Sequence, residues 1–183
     1  TASDPVMRTL LQDVRFRRAL SLAINRDGIN KILFFGFGIL GQNTVLEGAK
    51  LPQRGHRMAY AQFDLAEANR LLDELGLTKR DAKGFRLRPD GKRLDIIVET
   101  AGESTEQSDV LELVGDTWAE IGVELLTRPS QREILRRRVF SGDAVMSVGV
   151  GGGEFGLPTP DMCPSWLAPV MEEQPQWSQW GLY

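Results

Sequence analysis

Residues 94–100 read LDIIVET, residues 123–127 read VELLT and residues 144–150 read AVMSVGV. Each run is short and rich in β-branched or long aliphatic side chains, the composition of largely buried strands. What lies between them decides how they pair. Ser104 and Gln107 have the spacing of a capping box, and Val110, Leu111, Val114, Trp118 and Ile121 recur behind them at helical period until Gly122. Ser130 and Glu133 repeat the box ahead of Ile134, Leu135 and Val139, and Gly142 with Asp143 turns into the third run. Strand, helix, strand, helix, strand calls for parallel pairing through right-handed crossovers, with Leu94–Glu99 central. The chain is therefore expected to be α/β, with a mainly parallel sheet flanked by helices.

Upstream of this unit the pattern is helical. Asp4 followed by Pro5 marks a helix start. Phe16, Ala19, Leu20, Ala23 and Ile24 form an apolar stripe, and Arg15, Arg17 and Arg18 lie mostly off it. Asp27 is placed to cap a further helix carrying Ile29, Ile32 and Leu33, which Gly36 and Gly38 break. Asp64 caps another, with Leu65, Ala68, Leu71, Leu72 and Leu75 on one face and Gly76 at its end. Residues 85–88 and 92–100 flank Pro89-Asp90-Gly91 and read as a hairpin. Residues 157–183 are rich in proline and tryptophan and show no period.

Composition narrows the chemistry. Of 183 residues, 42% are hydrophobic and 26% charged, ordinary values for a globular domain, and the formal net charge is -3. A mildly acidic chain has no general attraction to nucleic acid or anionic membrane. The apolar run from Ile32 to Leu40 is far shorter than the ~20 residues that span a bilayer, so no direct membrane insertion is expected. No basic-then-apolar leader precedes Thr1, so any export signal is expected to have been removed or never to have been part of this sequence. One cysteine (Cys163) and one histidine (His56) leave little for a metal cluster or a nucleophile–histidine pair. Neither a metal nor a cofactor is expected.

Several motifs have both a functional and a plain reading. Residues 36–41, GFGILG, match G-x-G-x-x-G, but a helix precedes them and no helix follows, so a loop needing permissive backbone is the better reading. Gly149, Gly151, Gly152 and Gly153 do follow a strand, but Pro158 and Pro160 forbid the helix that a phosphate loop requires. Arg132, Arg136, Arg137 and Arg138 share a helix with Glu133 and read as a solvated face. Glu99 and Glu154 both sit at strand carboxyl ends, where two acids bind a cationic group or solvent more often than they catalyse.

Ligands of open parallel sheets bind outside the carboxyl ends of the strands. Here those ends are residues 100–107, 128–130 and 149–155. The candidate ligand-binding residues are accordingly Glu103, Ser104 and Gln107 at a helix start, then Gly152, Gly153, Glu154 and Phe155. Helix-start N–H groups would receive an anionic or carbonyl end of a ligand. Glu154 would receive a cationic or hydroxyl end, and Phe155 would stack.

Three stretches carry a family resemblance. Residues 13–29, DVRFRRALSLAINRDGI, resemble the D-x-R-x-R-x-A-L-x-x-A-I-[DN]-R-x-x-I signature of the family-5 extracellular solute-binding proteins of bacterial ABC importers. Residues 63–76, FDLAEANRLLDELG, resemble that family's Y-D-P-x-x-A-x-x-L-L-x-E-A-G helix. Residues 118–124, WAEIGVE, with Ser141-Gly142-Asp143 further on, resemble its L-x-x-I-G-I-x-V and G-D-[FY]-D segment. The resemblance implies a type II periplasmic-binding-protein fold and a non-enzymatic receptor. Such a receptor would be periplasmic or tethered outside the cell, and would capture a small polar solute for ABC permease subunits.

The family's proteins have two lobes. Residues 1–183 are expected to form the second lobe alone, with 157–183 leading back toward a missing first lobe. At least one of Trp166, Trp177 and Trp180 is then expected to be exposed within a single copy. Peptide-binding members carry G-W-x-x-D after the third strand, where this chain has GVGGGEF at 149–155. That departure leaves a peptide, an opine-like conjugate or an oligosaccharide as the solute. Two other classes stay open from residues alone: the sensor domain of a transcription regulator, and a hydrolase using Glu99 and Glu154.

Overall fold

A computed structural model describes residues 4–42, 55 and 57–148. The segment 149–183, with Gly152, Gly153, Glu154, Phe155 and the three tryptophans Trp166, Trp177 and Trp180, lies outside the described residues, as does His56.

Four helices come first. α1 (Pro5–Gln12) starts with Asp4, whose carboxylate accepts from Met7 N at 2.9 Å. α2 (Val14–Leu22) buries Phe16, Ala19, Leu20 and Leu22. α3 (Arg26–Leu33) is capped by Asn25, whose Oδ1 accepts from Gly28 N at 2.9 Å. Asp27, the expected cap, sits inside the first turn and pairs with Lys31 instead. α4 (Leu65–Glu74) is capped by Asp64, buries Ala68, Leu71 and Leu72, and ends before Gly76 in the left-handed region at φ +78°.

The α/β unit follows. β1 (Asp95–Thr100) lies between β2 (Glu124–Pro129) and β3 (Met146–Ser147), both parallel to it, in the order β2-β1-β3. This is the expected architecture, with a third strand of two described residues. α5 (Thr105–Glu120) and α6 (Arg132–Phe140) make the crossovers. Register shows that the two helices cover opposite faces. Gly115 of α5 faces Leu125, which pairs with Ile96, whereas α6 reaches Glu99, and residues 96 and 99 point to opposite sides of the strand.

The face under α5 carries the core. Leu94, Ile96 and Val98 are buried with Phe16, Leu20, Leu72, Leu77, Trp118, Ile121 and Val123 in one cluster. Trp118 Nε1 donates to Leu20 O at 3.1 Å, which joins α5 to α2. The opposite face is sparsely covered among the described residues. α6 buries none of its residues, and Ile134 of α6 and Leu126 of β2 are exposed.

Two further expectations change. The hairpin around Pro89-Asp90-Gly91 is reduced to a turn: Gly91 has φ +79°, Arg88 N donates to Lys92 O at 2.8 Å, and a single antiparallel bridge joins Leu87 to Arg93. Within it, Arg86 is only 2% exposed and donates to Ile121 O, Leu77 O, Asp73 and Asn69, tying α4 to the end of α5. Ser130 is not a helix cap. Its N–H donates to Thr100 O at 3.0 Å, extending the strand pairing, and the N-cap of α6 is the next residue, Gln131, which makes no side-chain cap bond. No helix among the described residues is long and apolar enough to cross a membrane.

Candidate functional site

At the carboxyl end of the sheet, the loop leaving β1 and the loop leaving β2 face each other across a depression of about 400 Å³. Residues 101–103 form one wall and residues 129–132 the other. Gly102 brings the walls together. It has φ +66°, and a Cβ there would stand 3.3 Å from Pro129 Cβ, so both conformation and proximity favour glycine. Gly102 N donates to Thr100 Oγ1 at 3.2 Å, which fixes the first loop to its strand.

The rim is charged. Arg132 donates to Glu103 through Nη2 at 2.5 Å and Nε at 3.3 Å. Both side chains are more than half exposed, so the pair bridges the mouth of the depression without adding much stability. Hydrogen bonding to Glu103 raises the pKa of the Arg132 guanidinium. Ser130 Oγ, in the second wall, is buried with no hydrogen-bond partner among the described residues.

Of the expected residues, Glu103 lines this depression, whereas Ser104 and Gln107 stand behind it. Ser104 Oγ accepts from Gln107 N at 3.3 Å, so both are engaged in starting α5. The helix start that opens on the depression is that of α6. Ala101, Gly102, Pro129, Gln131 and Arg132 join the site for the first time here. The rule that ligands lie beyond strand carboxyl ends locates their segments, but nothing in their residue types singles them out.

Beside the depression, and on the α6 face of the sheet, lies a buried ionic contact. Glu99 is 1% exposed and accepts from Arg138 Nε at 2.7 Å and Arg138 Nη2 at 2.8 Å. Arg128 Nη1 stands 3.7 Å from the same carboxylate. The bonds to Glu99 raise the pKa of Arg138. Arg132 keeps to the exposed face of α6, whereas Arg138, one-third exposed, turns toward the sheet to hold Glu99. Glu99 binds cationic groups, as the plain reading of its place at a strand end has it.

A larger groove of about 520 Å³ runs between α5 and the free edge of β2, lined by Leu111, Gly115 and Leu125 with Glu112 and Asp116 at its rim. It lies along the flank of the sheet and not beyond the strand ends. The depression is therefore the better candidate for a solute site.

Known proteins place this geometry. The described fold matches a solved oligopeptide-binding protein OppA at 40% identity and a TM-score of 0.73, over 78% of this chain and 22% of that one. It matches NikA from Brucella suis, solved with Fe(III)-EDTA, at 20% identity and a TM-score of 0.73, over 93% of this chain and 33% of that one. A probable ABC transporter-binding protein of Deinococcus radiodurans is 26% identical over 157 residues, 79% of this chain and 26% of its own length. The chain thus spans about a quarter of that curated relative. Residues 3–171 match the family described as bacterial extracellular solute-binding proteins, family 5 Middle, and the chain belongs to that family.

Proposed function

We propose that this chain is one lobe of a two-lobed, non-enzymatic receptor that captures a peptide-type solute and delivers it to ABC permease subunits. The receptor works outside the cytoplasmic membrane, in the periplasm or tethered to the cell surface. The observation that carries the reading is the depression between residues 101–103 and 129–132 in a family-5 chain. It lies beyond the carboxyl ends of the parallel strands, where ligands of such sheets bind, and the 40% identity to an oligopeptide-binding protein favours peptides among the possible solutes.

The mechanism is binding with hinge closure and involves no covalent step. The α6 start and Arg132 would meet an anionic or carbonyl end of the solute, with Glu103 as a hydrogen-bond acceptor on the opposite wall. Gly152, Gly153, Glu154 and Phe155, which follow β3 in the sequence, are proposed as further contacts of the solute. Ser104 and Gln107 support the wall by holding the start of α5.

A shallow half-site of this kind makes only part of the contacts. Halving a binding free energy turns a micromolar ligand into one that binds at about a millimolar or more weakly. Calorimetry on residues 1–183 is therefore expected to show no sub-micromolar solute. A thermal-shift screen of the longer receptor against peptides, opines and oligosaccharides is expected to find peptides. A sub-micromolar solute for this chain alone, or no response of the longer receptor to any of the three classes, would overturn the reading.

A further inference from the structure

The flank of the sheet carries a second surface, separate from the solute depression: the groove of about 520 Å³ between α5 and β2. β2 is an edge strand, bonded to β1 on one side only. Glu124 N donates to Leu94 O and Ser130 N to Thr100 O, each at 3.0 Å, so the even-numbered residues of β2 turn their main-chain groups to β1. Leu125 and Thr127 turn theirs to the outer edge, where no strand stands among the described residues. Such an edge is a template for one more strand. Both residues also line the groove.

The groove has room for the side chains that a further strand would bring. Its floor is Leu111, Leu125 and the bare backbone of Gly115. A Cβ at Gly115 would meet only Leu125 Cβ, at 3.8 Å, an ordinary contact, so packing does not require glycine here. Glycine weakens a helix interior relative to alanine. What it supplies at residue 115 is depth in the middle of the groove.

Charge selects the occupant. Residues 104–127 hold six carboxylates, Glu106, Asp109, Glu112, Asp116, Glu120 and Glu124, and no lysine or arginine, in a chain with 22 such bases. Among the described residues only Glu124 of the six forms an ion pair, with Arg93. Glu112 and Asp116 stand exposed on the rim of the groove. Residues 149–183 of the same chain hold four carboxylates and no lysine or arginine, so their charge does not complement this surface. Two copies joined edge to edge about a twofold axis would set α5 beside α5, acid against acid. We propose that the α5–β2 groove receives an extended, lysine- or arginine-bearing segment of a partner protein, which adds as a strand to the free edge of β2. Alternate side chains of that strand face α5. Their aliphatic stems lie over Leu111 and Leu125, and their cationic heads reach Glu112 and Asp116.

Hydrogen exchange on the full-length protein tests it. The probe is a peptide alternating lysine and threonine, capped at both ends so that no terminal charge directs it to the solute site, and the control is its glutamate counterpart. The lysine peptide is expected to slow exchange over residues 123–127, which hold the Leu125 and Thr127 amides, by about fivefold or more, and the glutamate peptide to leave it unchanged. Affinity for the lysine peptide, read by fluorescence anisotropy, should fall about tenfold or more in Gly115→Leu, which fills the groove, and about fivefold or more in Asp116→Lys. Glu74→Lys, on α4, makes the same change in net charge as Asp116→Lys and should stay within about twofold. Four outcomes would each overturn the proposal: unchanged exchange over residues 123–127, equal slowing by both peptides, slowing confined to residues 129–132 in the solute depression, or a loss in Asp116→Lys no larger than in Glu74→Lys. Sedimentation showing a dimer that Gly115→Leu abolishes would also overturn it, by giving the edge to a second copy. Where circular dichroism shows that a variant fails to fold, the exchange result, which needs no substitution, decides.

Discussion

Replacing Arg138 by alanine removes the group that neutralises Glu99, and the structure fixes how much this should matter. Glu99 is 1% exposed and receives two charge-assisted bonds from Arg138, while Arg128 approaches it only to 3.7 Å. Breaking a buried pair by removing one partner costs about 3–5 kcal/mol, because an uncompensated charge remains. Arg138 is itself one-third exposed, so water can enter where its guanidinium stood. That moves the expected loss to the lower end, about 2–3 kcal/mol, or roughly 4–12 °C in Tm for a domain of this size. Glu99→Gln should cost less, about 1–2 kcal/mol, because both arginines left behind can reach solvent and the amide oxygen still accepts one bond. Urea unfolding followed by circular dichroism on both variants and the double variant gives the coupling energy. If Arg138→Ala costs less than Glu99→Gln, or under about 0.5 kcal/mol, then water already reaches the carboxylate and the assignment of Glu99 as a buried structural anion is wrong.

Two further outcomes follow from the geometry. Gly76→Ala and Gly122→Ala both force alanine to φ near +78°, but only at residue 122 does the new Cβ collide, at 2.6 Å from Arg80 Nη1 and 2.8 Å from Arg86 Cγ. Denaturant titrations should show a loss of about 1–2 kcal/mol at residue 76 and about twice that or more at residue 122; equal losses would contradict the packing around Arg86. On acidification, Asp13, held down to about 2 chiefly by Arg15, and Asp90, held down to about 2 chiefly by Arg88, both lie below the ordinary 3.8. Groups lowered by folding stabilise it above their ordinary pKa and lose that effect as pH falls through the folded value. The urea midpoint should therefore change little through these groups above pH 5 and drop between about pH 4 and pH 2, with a shallower drop in Asp90→Asn; an unchanged slope in that variant would refute the assignment to Asp90.

How far the sequence reveals this molecule depends on the range of the interaction that settles each feature. The three strands and their order are legible because β-branched runs and the rule for parallel crossovers are local signals with one solution. Asp4, Asp64 and Ser104 cap their helices as their spacing suggests, each accepting from an N–H three residues on. Ser130 has the same S-x-x-E pattern as a capping box but is drawn into the sheet by Thr100 O, thirty residues earlier. Asn25 and Asp27 stand two residues apart and are equally good caps by type, so the pattern alone does not choose. Arg138 looks like any arginine on a solvated helix, and its partner Glu99 is 39 residues away in the chain. Local patterns expose elements; contacts between distant elements decide which charged side chains are structural.

The candidate site shows the same division. Its position follows from topology, because a parallel sheet whose first strand is central leaves a crevice where two chains diverge from its carboxyl end. Its construction does not. Two carboxylate–arginine pairs of opposite character stand there: Glu99 with Arg138, beside the depression, is buried and holds the end of β1 to α6, whereas Glu103 with Arg132 is exposed and spans the mouth. A buried bidentate pair keeps its geometry, while an exposed pair competes with water and separates at little cost. The sheet end beside the depression is thus fixed and the rim of the depression adjustable. A receptor of the proposed kind, admitting a solute and then closing over it, would need both properties, and here they come from two arginines six residues apart on one helix.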